Sequence, residues 1–134
     1  MNYFLFYSGN LPKYYKVTLN NILSVDKNAK IYFCSDEKIF SEYITHVDPS
    51  KLKSEFISEI QRIDYFKNFS NPLWNTSLLR IFYLLEMSKK FNISKFIHFD
   101  LDVMIYKSFS ELKDYFDENK MKCQFTHSMD LCRL

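Results

Sequence analysis

The chain has 134 residues, enough for one domain with a core of its own. Hydrophobic residues make up 47% and charged residues 25%, an ordinary globular balance, and a net charge of +2 without a long basic run argues against a nucleic-acid partner. A single Gly, Gly9, cannot build a Rossmann or P-loop glycine pattern, and no stretch approaches the roughly 18 apolar residues of a membrane-spanning helix.

Tyr3 to Ser8 is a short apolar and aromatic run stopped by Gly9-Asn10, which predicts a buried first strand rather than a signal peptide. Pro12 opens a helical stretch to about Val25, with Val17, Leu19, Ile22 and Leu23 as its apolar set. Ala29 to Cys34 reads as a second strand ending in Ser35-Asp36, and Tyr43 to Val47 as a shorter one closed by Asp48-Pro49. Ser50 is placed to cap a weak helix carrying Leu52, Phe56, Ile57 and Ile60. Arg62 to Pro72 shows no firm period and reads as a loop.

Leu73 to Phe91 is the strongest helix signal, with Trp74, Leu78, Phe82 and Leu85 along one stripe, widened by Leu79, Ile81 and Leu84, and with Asn92 at its end. Lys95 to Phe99 reads as a strand running into Asp100-Leu101-Asp102. Ser110 is a cap for a short helix holding Glu111, Leu112, Tyr115 and Phe116, and Lys122 to Thr126 is a last strand. Apolar strands alternating with helices predict an α/β domain, 1–134, with a mainly parallel sheet flanked by helices. Ligands of such sheets bind beyond the carboxyl ends of the strands, so Ser8, Asn10, Ser35, Asp36, Asp100 and Asp102 are the residues to weigh.

Three Cys (Cys34, Cys123, Cys132) in no close pair fit reduced thiols, a cytoplasmic location and no zinc site. In an extended chain, residues two apart point the same way, so Asp100 and Asp102 would aim two carboxylates at one point. Two like charges so close repel, and a hard divalent cation relieves the conflict. The bare pattern is weak: a chain with this much Asp yields about 0.6 Asp-X-Asp pairs by chance, and the plain alternative is a solvated acidic turn. Likewise Arg80 is as readily a surface Arg as a phosphate ligand, and His98 reads as a packed or hydrogen-bonded core residue. Most of the 14 Phe and 10 Tyr must fill volume rather than stack on ligands.

Context sharpens the acidic pair. The stretch Trp74-Asn75-Thr76-Ser77-Leu78-Leu79-Arg80-Ile81-Phe82-Tyr83-Leu84-Leu85, then Lys95-Phe96-Ile97-His98-Phe99-Asp100-Leu101-Asp102-Val103-Met104-Ile105, with Ser108-Phe109-Ser110-Glu111-Leu112 after it, resembles the GT-A nucleotide-diphospho-sugar transferases, closest to glycosyltransferase family 8. The resemblance covers roughly residues 3 to 126 and is most specific over 74 to 112. It implies a metal-dependent glycosyltransferase, with Asp100 and Asp102 on Mn²⁺ or Mg²⁺ and Asp100 also touching ribose. It implies Arg80 near the diphosphate or bracing the acidic loop, Tyr7 and Ser8 lining the nucleotide pocket, and Ser35 and Asp36 near the base or ribose. The donor would be a nucleotide sugar, a UDP-sugar, and the acceptor a hydroxyl of a glycan or protein. That family draws a further His ligand from a later segment that nothing in this chain matches, so the resemblance implies either a fragment or truncated frame holding the N-terminal, nucleotide-binding half, or an unusually small relative.

Two other classes stay open. A nucleotidyltransferase on a related sheet would want a Gly-rich, basic loop after the first strand, where this chain has Gly9-Asn10-Leu11-Pro12-Lys13. A non-catalytic nucleotide-binding or interaction module would keep the sheet and lack an acceptor site.

Overall fold

The computed structural model describes residues 1–52, 54–63, 72–109 and 111–112. Of the loop expected from Arg62 to Pro72, residues 64–71 lie outside them, while Arg62 and Pro72 belong to helices; the strand at 122–126 and Tyr115 and Phe116 also lie outside. In chain order the described elements are β1 (Asn2–Tyr7), α1 (Tyr15–Val25), β2 (Lys30–Ser35), β3 (Ile44–Val47), a 3-10 turn (Pro49–Lys51), α2 (Glu55–Arg62) and α3 (Pro72–Phe91). The three strands form one parallel sheet in the order β1-β2-β3, with Tyr3 opposite Ile31 and Phe33 opposite His46. The α/β class and the parallel sheet expected from the sequence are thus present.

Alternation along the strands feeds two cores. Tyr3 and Leu5 of β1 with Ile31 and Phe33 of β2 face α1 and pack with Leu19, Ile22, Leu101 and Ile105. Phe4, Phe6 and Cys34 point the other way and pack with Val47, Leu84 and Met87, so α3 covers that face. A sheet covered on both faces needs apolar residues at nearly every strand position, which is why β1 reads as an unbroken apolar run. Cys34 is a buried free thiol whose pKa is pushed up to about 12, by burial first and then by the nearby Asp36 and Asp48 carboxylates. It stays protonated and is no nucleophile.

Several local expectations are corrected. Pro12 does not begin α1; its carbonyl accepts from Tyr15 N at 2.9 Å in the turn that precedes the helix. Val17 is 55% exposed, and Thr18 takes the buried position beside Leu19 and Ile22. The burial arc of α1 includes a hydroxyl that an apolar count passes over. Among the described side chains of α3 the deepest are Leu84, Met87 and Ser88, while Ile81 is half exposed. The helix carrying Phe56, Ile57 and Ile60 begins after Ser54, not Ser50; Ser50 lies in the 3-10 turn capped by Asp48, whose carboxylate accepts from Ser50 N and Oγ at 2.9 and 2.6 Å. Those bonds hold the Asp48 carboxyl below its ordinary range. Asn92 does end α3, in the left-handed region at φ 52°, with Ile93 N donating to Ser88 O and Asn92 N to Lys89 O as in a Schellman cap.

The expected strand at Lys95–Phe99 pairs with β1 at one point, Tyr3 opposite Ile97. Ile97 N donates to Asn2 O and Phe4 N donates to Ile97 O. The next rung of a parallel ladder would be Phe99 N on Phe4 O, but His98 Nδ1 already donates to that carbonyl at 2.8 Å. The backbone pairing ends here, with the His98 ring on Phe4 O, and the chain turns at Asp100. Burial, with Arg80 nearby, lowers the His98 pKa below 6.5 and keeps the ring neutral.

One polar contact is sunk in the first core. Tyr3 Oη donates to Asp26 Oδ2 at 2.9 Å, with Asp26 only 3% exposed and its other oxygen accepting from Asn28 N. Burial, followed by the hydrogen bond and charge of Asp26, raises the Tyr3 pKa well above 10. A raised folded-state pKa stabilises the fold fully below about pH 10 and the contribution is lost as pH rises further. Tyr3→Phe should therefore destabilise the fold by about 1–3 kcal/mol at pH 7 by leaving the buried carboxylate short of a donor. Urea titrations at pH 7 and 11 should show the gap between wild type and variant narrowing at the higher pH.

Candidate functional site

The carboxyl ends of the strands open onto one rim. β1 runs out into Ser8-Gly9-Asn10, β2 into Asp36-Glu37 and β3 into Asp48, and the bridged segment beside β1 runs into Asp100-Leu101-Asp102. Five carboxylates thus follow three of the four neighbouring strand ends, and β1 between them ends in Ser8-Gly9-Asn10.

The first two ends are latched together. Asp36 Oδ2 accepts from Gly9 N at 2.6 Å and from Ser8 Oγ at 3.1 Å, and Glu37 Oε1 accepts from Leu11 N at 3.0 Å. Gly9 has φ 94°, a conformation L side chains rarely adopt, although a methyl group there would meet nothing within 4 Å. Gly9→Ala should thus destabilise by about 1–3 kcal/mol through backbone strain alone, measurable by denaturant titration. Ser35 is fully buried and its hydroxyl donates to Glu37 O at 2.8 Å, so it holds the β2 turn together rather than facing the rim. Tyr7 ends β1 half-buried against the first core, while Ser8, Asp36 and Glu37 are exposed.

The acidic segment is not extended. Val103 N donates to Asp100 O at 3.1 Å, so Asp100 to Val103 form a tight turn. The alternation that would align the two carboxylates does not apply inside a turn, and any shared ligand depends on how the turn presents them. Both Asp residues are exposed. Arg80 comes from α3, which packs on β1, and its Nη1 donates to Asp100 Oδ1 in an ion pair. Leu101, between the acidic residues, is buried in the first core and anchors the turn.

Two residues of α1 complete the support, and sequence reasoning missed them. Thr18 Oγ1 donates to Leu101 O. The Asn21 side chain makes both bonds to one backbone unit: Nδ2 donates to Ile105 O at 3.0 Å, and Ile105 N donates to Oδ1 at 2.8 Å. The available signal was chemical: Thr and Asn are poor helix formers, and two of them three apart inside a helix call for a tertiary reason.

Among the described residues, no group of three or more His, Cys, Asp and Glu side chains could hold a metal ion by itself. Two carboxylates on a turn do suit a hard cation that draws its remaining ligands from water and phosphate, the usual habit of Mg²⁺. None of the helices among the described residues is long and apolar enough to cross a membrane. Comparison with known protein families, with curated proteins and with solved structures finds no match to this chain.

Proposed function

We propose that the chain is the nucleotide-sugar-binding part of a GT-A-type glycosyltransferase, moving a sugar from a UDP-sugar to an acceptor hydroxyl with Mn²⁺ or Mg²⁺. The observation that carries this reading is the Arg80–Asp100 pair at the acidic turn, set where a parallel sheet binds ligands. It joins the two halves of the motif through which the sequence resembles family 8.

On this reading Asp100 and Asp102 hold the cation, which when bound neutralises the diphosphate and the charge that develops as it leaves. Arg80 orients Asp100 through their ion pair, and its remaining guanidinium donors are free to meet the phosphates. Ser8 and Asp36 border the nucleoside end, with Asp36 held in place by Gly9 N and Ser8 Oγ. Ser35 acts beneath them by holding the turn, and Tyr7 supports the floor.

Thermal unfolding with UDP and Mn²⁺ together, against each alone, tests the reading. At about 100 times its dissociation constant the pair should stabilise the fold by about 2.7 kcal/mol. The shift should need both components and vanish in Asp102→Ala. No shift with UDP, or with GDP in its place, would sink the proposal.

A further inference from the structure

We propose that Thr18 and Asn21 of α1 are positioning residues that set the conformation in which the acidic turn receives its ligand. The inference rests on the metal and diphosphate reading of the site.

The turn has little of its own to hold it. Its internal backbone bond is Val103 N to Asp100 O, and beyond Leu101 the residues Asp102, Val103, Met104 and Tyr106 are exposed. The ladder that might have continued the preceding segment stops at His98. The support comes instead from α1, 83 and 84 residues away in sequence. Thr18, 2% exposed, meets Leu101 O, and the Asn21 amide matches the donor and acceptor of Ile105. A side-chain amide bonded to both groups of one residue fixes that residue's plane as well as its position. The two contacts lie on either side of Asp102, so both flanks of the carboxylate are tied to a helix packed on the sheet. Arg80 reaches Asp100 from the other face of the sheet, so the two acidic residues have separate supports. Groups that orient a ligand without touching the metal commonly change its affinity by roughly 10- to 100-fold when removed.

The test uses Thr18→Val, Asn21→Ala and the double variant, with Ser88→Ala as a control. Ser88 also gives a side-chain hydrogen bond to a backbone carbonyl, Ile93 O, but in the last turn of α3. Two quantities are read: the Kd for Mn²⁺ with UDP by calorimetry, and the exchange rate of the Val103 amide by NMR. Val103 N bonds within the turn and to neither α1 residue, so a purely local loss would leave it alone. We expect the double variant to weaken binding roughly tenfold or more and to speed Val103 exchange, while Ser88→Ala changes neither. Asn21→Asp, which keeps the acceptor for Ile105 N and loses the donor, should fall between wild type and Asn21→Ala. Unchanged affinity and unchanged Val103 exchange in the double variant would overturn the proposal and leave the reading of the site intact. A wild-type chain that binds no Mn²⁺ with UDP would overturn the reading itself, and the positioning role with it.

Discussion

Phe33→Ala is expected to destabilise the protein by about 3–5 kcal/mol, the usual cost of deleting a fully buried aromatic ring. Phe33 lies on β2, the middle strand, with no exposed surface, and belongs to the core that joins β1, α1 and the acidic turn. Tyr15 of α1 is tilted against it with ring centroids 6.4 Å apart. The ring of Tyr15 ties this site to the helix that carries Thr18 and Asn21. The midpoint of thermal unfolding should fall by on the order of 10 °C. Phe40→Ala is the matched comparison. Phe40 is 82% exposed, so its removal should stay within about 0.5 kcal/mol. Equal losses at the two positions would mean that the sheet and α1 are not packed as described.

Arg80→Met should separate binding from stability. The pair with Asp100 sits at the surface, with the carboxylate side chain 58% exposed, so breaking it should cost the fold only about 0–1 kcal/mol. Met keeps an apolar stem of similar length and removes only the charged head. Affinity for UDP with Mn²⁺ should nevertheless fall about 10- to 100-fold, because charge-assisted hydrogen bonds to phosphate and carboxylate contribute roughly 1.5–3 kcal/mol. Calorimetric titration alongside urea unfolding gives both numbers. A large loss of stability with intact binding would make Arg80 a structural brace and remove the observation on which the functional reading stands.

The short-range features of this protein were legible because they depend on neighbours in sequence. The apolar run of β1, the stop at Gly9, the strand ending in Ser35-Asp36 and the helix ending at Asn92 all follow from local pattern and turn chemistry. The parallel sheet followed from the alternation of such elements. Periodicity was less reliable about faces. It set Val17 and Ile81 among the buried residues, yet both are half exposed, because the arc that meets the sheet is chosen by docking and not by apolar count.

The acidic pair shows the same division. Asp100 and Asp102 stand out in the sequence by type and spacing, and Arg80 by its place in the preceding helix. Strand alternation would aim the two carboxylates together, but the chain turns between Asp100 and Val103, with the His98 ring on the Phe4 carbonyl just before the turn. No local signal announces that turn. Thr18, Asn21 and Glu37 were passed over for a related reason: each is bonded to backbone far away in sequence, and a polar residue's distant partner leaves no trace in its own surroundings.

Charge placement, the strands able to bury both faces and the points where the chain must turn follow from side-chain chemistry and the backbone limits of Gly and Pro. Packing in three dimensions is what brings Arg80 to Asp100, sets α1 against the acidic turn, and latches two strand ends through Gly9 and Asp36. Each of those contacts brings together groups 20 to 84 residues apart, and such meetings are set by how helices pack on the two faces of the sheet.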